Sequence, residues 1–155
     1  MRKFYEVNKA FRRTKNEKGE VREGDIKLPT RATSGAMAYD FYANDDYIVR
    51  PKEICKIWTD VKAEMNQNEA LILNVRSSMG GKFMLANTQG WIDSDYFSNV
   101  DNDGNIGIFL LNISDDIQYI YRGDRIAQGM FINFLVAENG NSDNERVGGF
   151  GSTNK

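Results

Sequence analysis

The stretch IGIFLLNISDDIQYIYRGDRIAQGMFINF, Ile106 to Phe134, decides the fold. Ile106, Ile108 and Leu110 form one alternating run, Ile117, Tyr119 and Tyr121 a second, and Ile126, Gln128, Met130, Ile132 and Phe134 a third. Asn, Asp and Gly clusters separate them. A period of two puts alternate side chains on one side of an extended chain, so these runs read as strands and not helices. Upstream the pattern continues through Leu71, Leu73 and Val75, then Ile57, Thr59 and Val61, then Tyr39 and Phe41, and Phe4 to Val7 suits an edge strand. Many short strands divided by turn residues predict an all-β sandwich or barrel. Ser78 to Leu85 is the one place with room for a short helix. Lys15 to Lys27 is dominated by charge and glycine, with Gly19 and Gly24 as turn positions, and reads as a surface hairpin or loop. Ala137 to Lys155 is polar and glycine-rich without an apolar period. The expected organisation is a barrel domain over residues 1–136 and a mobile arm over 137–155.

Composition narrows the chemistry. A chain of 155 residues is the size of one domain and buries enough surface to fold without staples. It has no histidine and one cysteine, Cys55, which excludes a Ser-His-Asp triad, a Cys-His pair, a His-ligated metal and an internal disulfide. Proton transfer must use carboxylate, Tyr, Lys or water. Twenty basic and 22 acidic residues, mixed along the chain to a net charge of −2, make no polycationic face for a nucleic-acid backbone. No apolar run reaches the length of a membrane span, and MRKFYEVNKAFRR has charges where a signal peptide needs an apolar core. The expectation is a soluble cytoplasmic protein, off the membrane, with Cys55 reduced.

Five stretches could carry chemistry. In NTQGWIDSDY, Asn87 to Tyr96, Asp93 and Asp95 share a face of a strand beside a phenol, although a hairpin turn with Asp and Ser bonded to their own backbone explains the same residues. In ATSGAMAYDFYA, Ala32 to Ala43, small residues precede a strand carrying Asp40. VRSSMGG, Val75 to Gly81, either caps a short helix or offers free N–H groups, two hydroxyls and a guanidinium to an anion such as phosphate. YRGDRIAQGMF, Tyr121 to Phe131, turns at Gly123 and Asp124 into a strand where Gln128 shares the face expected of Ile126, Met130 and Ile132 and needs a partner if buried. The tail ERVGGFGSTNK reads as a linker or as an arm whose backbone N–H groups cradle phosphate while Phe150 stacks on a base.

Taken together and in order, PTR (Pro29 to Arg31), AYD (Ala38 to Asp40), TDV (Thr59 to Val61), RSS (Arg76 to Ser78), GWIDSDY (Gly90 to Tyr96), GDRIAQ (Gly123 to Gln128) and GGFGST (Gly148 to Thr153) resemble the motifs of the trimeric dUTPase family, the dUTP nucleotidohydrolases. The resemblance runs from about Leu28 to the C-terminus. It implies a jelly-roll-like β barrel, a homotrimer, and sites shared between subunits, one supplying the base-binding hairpin, a second the phosphate-binding turn and a third its arm.

By that resemblance Asn87, Gly90, Trp91, Ile92 and Gly107 belong to the base-binding region, and Tyr96 lies under the deoxyribose. Arg76, Ser77, Ser78 and Gln128 hold the phosphate chain. Arg146 reaches the terminal phosphate, Phe150 covers the uracil, and Gly151 and Ser152 donate to phosphate oxygens. Asp40 and Gln128 touch the water shell of a Mg²⁺ ion. Asp93 orients and deprotonates the water that attacks the α-phosphorus, Asp95 shapes the turn, and the products are dUMP and diphosphate, which limits uracil in DNA and supplies dUMP for thymidylate. The loop of residues 97–103 is longer than is usual for the family and is a candidate cover for the site or contact for another protein. Two other readings share the residues. A dCTP deaminase of the same fold also spells RSS and GWID, but it needs a glutamate on the following strand, and GNIGIFLLN has Phe109 near that place and no acid. A non-catalytic nucleotide- or protein-binding module is the third reading.

Overall fold

The computed structural model describes residues 1–16, 18–21 and 26–151. Eleven strands form four small antiparallel sheets among these residues. Strands β1 (Lys3–Glu6) and β5 (Val61–Glu64) make one pair, and β3 (Tyr47–Val49) and β10 (Gln118–Ile120) another. A four-stranded sheet runs in the order β2 (Tyr39–Tyr42), β11 (Arg125–Asn133), β6 (Glu69–Asn74), β8 (Gly90–Asp93). A three-stranded sheet runs β4 (Ile54–Trp58), β9 (Gly107–Asn112), β7 (Phe83–Leu85). The fold is all-β and jelly-roll-like. Its core joins Phe41, Ile57, Leu71, Leu73, Ile108, Leu110 and Ile126, each fully enclosed. On β9 the expected alternation holds: Ile108 and Leu110 point into the core, while Gly107, Phe109 and Leu111 face the other way.

Four local expectations are corrected. Ile57, Thr59 and Val61 do not share one strand, because Asp60 takes a left-handed backbone (φ 56°) and breaks β4 from β5. Asp60 is fully buried and earns that position by accepting the N–H groups of Arg13 (2.8 Å) and Thr14 (3.0 Å) and the Asn105 carboxamide (2.8 Å). The short helix expected over Ser78 to Leu85 is absent. One 3-10 turn, Ser77–Met79, stops at Gly80 and Gly81, the latter at φ 80°, and the chain becomes β7, whose Phe83 and Leu85 are buried. No side chain caps that turn. On β11 a bulge between Arg125 and Ala127 shifts the register. Ile126 therefore points into the core with Ala127, Gly129 and Phe131, and Gln128, Met130 and Ile132 point to the opposite face. Finally, β10 buries Ile120, leaving Ile117, Tyr119 and Tyr121 exposed.

Lys15 bridges Val21 with Gly19 turning between them at φ 76°, as a surface hairpin requires; Gly24 lies outside the described residues. Beyond β11 the described residues of the C-terminal segment have no strand.

Candidate active site

The turn at residues 86–89 joins strands that are not partners. β7 ends the three-stranded sheet and β8 ends the four-stranded sheet, so the expected hairpin is instead a crossing from one sheet to the other. Two open strand edges, each with N–H and C=O groups free of ladder partners on one side, flank the gap. A cavity of about 280 Å³ fills it, lined by Asn87, Gly90, Trp91, Ile92, Gly107 and Phe109 among others and roofed by Phe150. Its walls are mostly apolar, with backbone amides at the rim, which suits a flat heterocycle with a polar edge. Both glycines are required by space. A Cβ at Gly90 would lie 2.9 Å from Leu73 Cβ, and one at Gly107 2.9 Å from the Phe109 ring. Among the described residues, none of those lining the cavity is an acid.

Asp93 closes β8 at the edge of this cavity, and Asp95 sits in the 3-10 turn Ser94–Tyr96 that follows. Both carboxylates are largely exposed, and both hold Arg146: its Nη2 donates to Asp93 at 2.5 Å and its Nε to Asp95 at 2.7 Å. Asp95 thus does more than shape the turn. The arm continues to Phe150, whose ring stacks on Phe109 (centroids 5.8 Å apart, planes at 20°) and meets Trp58 and Tyr96 edge-on at 5.5 and 5.6 Å. Tyr96 is buried with its hydroxyl turned inward, donating to Asn105 O at 2.6 Å and accepting from Asn102 at 2.7 Å. Burial pushes its phenol up to about 12, so it stays neutral and offers a ligand only its ring. In this single chain the arm lies on the chain's own cavity.

A second cluster occupies the outer face of the four-stranded sheet. Asp40, Gln128 and Asn74 stand in register across β2, β11 and β6. Asp40 is buried with Arg76 Nε 2.8 Å and Arg125 Nη1 3.4 Å from its oxygens, although the Arg76 N–H does not align with the carboxylate as a hydrogen bond. Ser77 and Ser78 are exposed beside Arg76, and Arg76, Ser78, Lys82 and Arg125 line a polar hollow of about 240 Å³. From Asn74 a chain of bonds runs through Gln89 (3.2 Å) to the Trp91 indole (2.8 Å) at the mouth of the cavity. Asn87, Gly90, Trp91, Ile92, Gly107 and Phe150 thus converge on one cavity, and Asp40, Arg76 and Gln128 gather elsewhere. Gly151 is exposed at φ 72°, and Ser152 lies outside the described residues. Trp58 and Phe109 were not expected as site residues. Phe109 entered the sequence reading only as the residue near the place of the deaminase glutamate, and as an aromatic on the solvent side of an alternating strand.

A β barrel with a base-sized apolar cavity, two acids at its edge and an arginine- and glycine-bearing arm over it is the outline of a nucleotide-handling enzyme. The model of the dUTPase family matches residues 24–154, and the chain belongs to that family. It is 38% identical over 138 residues to the deoxyuridine 5'-triphosphate nucleotidohydrolase of Lactococcus lactis, covering 86% of this chain and 92% of the relative. The crystal structure of the Streptococcus mutans dUTPase superposes with a TM-score of 0.70 at 33% identity, over 76% of this chain and 93% of that one. The dUTPase of Staphylococcus aureus phage phi11, in which coordination of a structural Mg(II) ion is described, shares the fold at 18% identity and a TM-score of 0.65, over 93% and 97% of the two chains.

Proposed function

We propose that the protein hydrolyses dUTP to dUMP and diphosphate. The observation that carries this reading is the acid-free, base-sized cavity between the open edges of β7 and β8 with Asp93 at its rim. The uracil edge bonds to the backbone around Gly90 and Gly107 and to Asn87, and Phe150 covers the ring. Asp93 holds a water and takes its proton as the oxygen bonds to the α-phosphorus; the bond from that phosphorus to the bridging oxygen breaks and diphosphate leaves. Asp93 first has to exchange Arg146 for the water, and Arg146 is drawn off by the terminal phosphate, a stronger anionic partner.

No cluster of three metal-ligating side chains occurs among the described residues, and Asp40 is committed to two guanidinium groups. This donor set does not suit a direct protein cage; a Mg²⁺ ion would be held mainly by the substrate's phosphates, with Asp40 and Gln128 the side chains that would reach it through water. When bound, it neutralises phosphate charge.

The active assembly we propose is a homotrimer in the cytoplasm. Gln128, Met130 and Ile132 share the outer sheet face with Trp91, which is 70% exposed, and the phosphate cluster does not line the base cavity. Both features favour sites completed by a second chain, and the arm of residues 137–155 from a neighbour takes the place that the chain's own arm takes here. Light scattering should find three chains; a fully active monomer overturns shared sites.

Deamination of dCTP is disfavoured because Phe109 presents a ring to the cavity where an acid is needed. The deciding experiment presents dUTP, dCTP, TTP and UTP side by side and analyses the products. Selective release of dUMP and diphosphate supports the proposal, ammonia from dCTP replaces it with deamination, and binding without turnover replaces it with a non-catalytic module.

A further inference from the structure

Among the described residues 137–151, the arm meets the barrel by side chains at Arg146 and Phe150 and by backbone at Gly149, while nearer β11 Phe134 N donates to Asn68 O at 3.0 Å. Gly149 is the one buried residue of the described part of the arm. Its N–H donates to Asp101 Oδ2 at 3.2 Å, and a Cβ there would lie 2.8 Å from Asn102 Nδ2, 3.1 Å from Asn102 Cγ and 3.2 Å from Asp101 Oδ2. Both partners belong to the long loop of residues 97–103.

That loop is built to stand firm. Asn102 is buried, donates to the Tyr96 hydroxyl (2.7 Å) and accepts from Asn99 Nδ2 (2.8 Å) and Gly104 N (3.0 Å). Asn99 donates also to Tyr96 O at 2.8 Å, and its Oδ1 accepts the N–H groups of Asp101 and Asn102, both at 3.1 Å. At the far end Lys62 holds Asp103 at 2.8 Å, and Asp103 accepts from Asn8 N at 2.7 Å. Asn102 cannot swing aside from Gly149 without breaking these bonds. The next residue is Phe150, the roof of the cavity.

We propose that the loop of residues 97–103 is a seat for the closing arm, with Asp101 and Asn102 as positioning residues that set where Phe150 meets the bound base. The seat lies on the chain that forms the cavity, so it serves an arm from either chain. The inference rests on the reading of the cavity as a dUTP site. An arm held at three points keeps the site dry longer than one held at two, and the loop supplies the backbone point beside Phe150.

The test uses the full-length protein with Asp101→Ala, Asp101→Asn, Gly149→Ala and, as a control, Val100→Ser at an exposed loop position. Each is assayed for kcat and KM with dUTP, for thermal unfolding, and for trypsin cleavage after Arg146 with and without saturating α,β-imido-dUTP. Asp101→Ala should raise KM about two- to tenfold, the worth of one hydrogen bond, and lose nucleotide protection of the Arg146 site. Asp101→Asn, which keeps an acceptor, should restore protection; Gly149→Ala should lose more than Asp101→Ala; unfolding temperatures and Val100→Ser should match wild type. Wild-type KM and protection in both Asp101→Ala and Gly149→Ala overturn the seat. A wild-type protein that leaves dUTP intact overturns the dUTP reading instead.

Discussion

Replacing Asp93 by Asn separates proton removal from the other work of the site. The carboxamide has nearly the carboxylate's size and still offers Arg146 an oxygen where the 2.5 Å contact is now made. The side chains of Asp93 and Asp95 are 64% and 59% exposed while that of Arg146 is 9% exposed; with the carboxylate of each pair in water, screening holds each to about 1 kcal/mol of stability. The folded state should therefore be almost unaffected. The chemical step, in contrast, loses its base, which lowers kcat by roughly 10²–10⁴-fold, about 3–5 kcal/mol of barrier. KM for dUTP should hold or fall, because a negative charge beside the triphosphate is gone. Asp95→Asn is the internal comparison. It holds the same guanidinium at 2.7 Å but lies in the turn beyond β8, and its kcat should stay within roughly fivefold of wild type, the equivalent of about 1 kcal/mol. Diphosphate release at saturating dUTP with Mg²⁺ measures both. A kcat for Asp93→Asn above a tenth of wild type, or an equal loss in Asp95→Asn, refutes the assignment.

Other consequences follow from single residues. Gly107→Ala places a methyl 2.9 Å from the Phe109 ring and 3.2 Å from Trp58, driving a ring into the cavity; KM for dUTP should rise about tenfold and stability fall by about 1–3 kcal/mol, read by kinetics and thermal unfolding. The Glu69 carboxyl is held below its ordinary range by the Asn66 N–H and by Arg2. Its stabilisation is present above the unfolded value and lost as pH falls through the folded one, so Glu69→Gln should flatten the acid limb of stability against pH in urea titrations. Burial, with Glu53 nearby, pushes the Cys55 thiol from 9.0 up to about 11. Its thiolate fraction at pH 8 is then about a hundredfold below that of an ordinary thiol, and iodoacetamide should label the native protein slowly and the urea-unfolded protein fast.

The strands were legible because one face of each meets the core: Ile108 and Leu110 are buried at every second residue of β9, and Leu71 and Leu73 are the most deeply enclosed residues of β6, although Ile72 between them is buried too. What the alternation hid were places where a non-local partner overrules it. Thr59 and Asp60 sit inside a run of period two, yet the N–H groups of Arg13 and Thr14, nearly fifty residues away in sequence, hold Asp60 in a turn. The β11 bulge is set by its pairing with Tyr42 and Phe41, and nothing in DRIAQ itself announces it. Gly80 and Gly81 carry a signal against a helix, masked in the sequence by the serines before them, which resemble a cap. For the site, the motif resemblance reached Asn87, Gly90, Trp91, Ile92, Gly107 and Phe150, which share one cavity. It did not reach Trp58, and it met Phe109 only through the deaminase comparison and Asp101 only as part of the long loop of residues 97–103; the contact of all three with the arm shows only in the folded chain.

The cavity itself depends on a pairing that does not happen. Were β7 and β8 joined as the hairpin that NTQGWIDSDY suggests, each would satisfy the other's N–H and C=O groups and Ile92 would close against Leu85, leaving no gap for a base. Instead β8 takes β6 as its partner and β7 takes β9, with Gly90 pressed against Leu73 and Gly107 against Trp58 and Phe109. The backbone groups left open at the two edges are then costly to bury dry, and a pyrimidine edge with matching donors and acceptors removes that cost. On the proposed reading, selectivity for the base comes from the divergence of two sheets, while Asp93, one residue beyond Ile92 at the end of the same strand, is carried to the rim by the pleat that turns Ile92 inward.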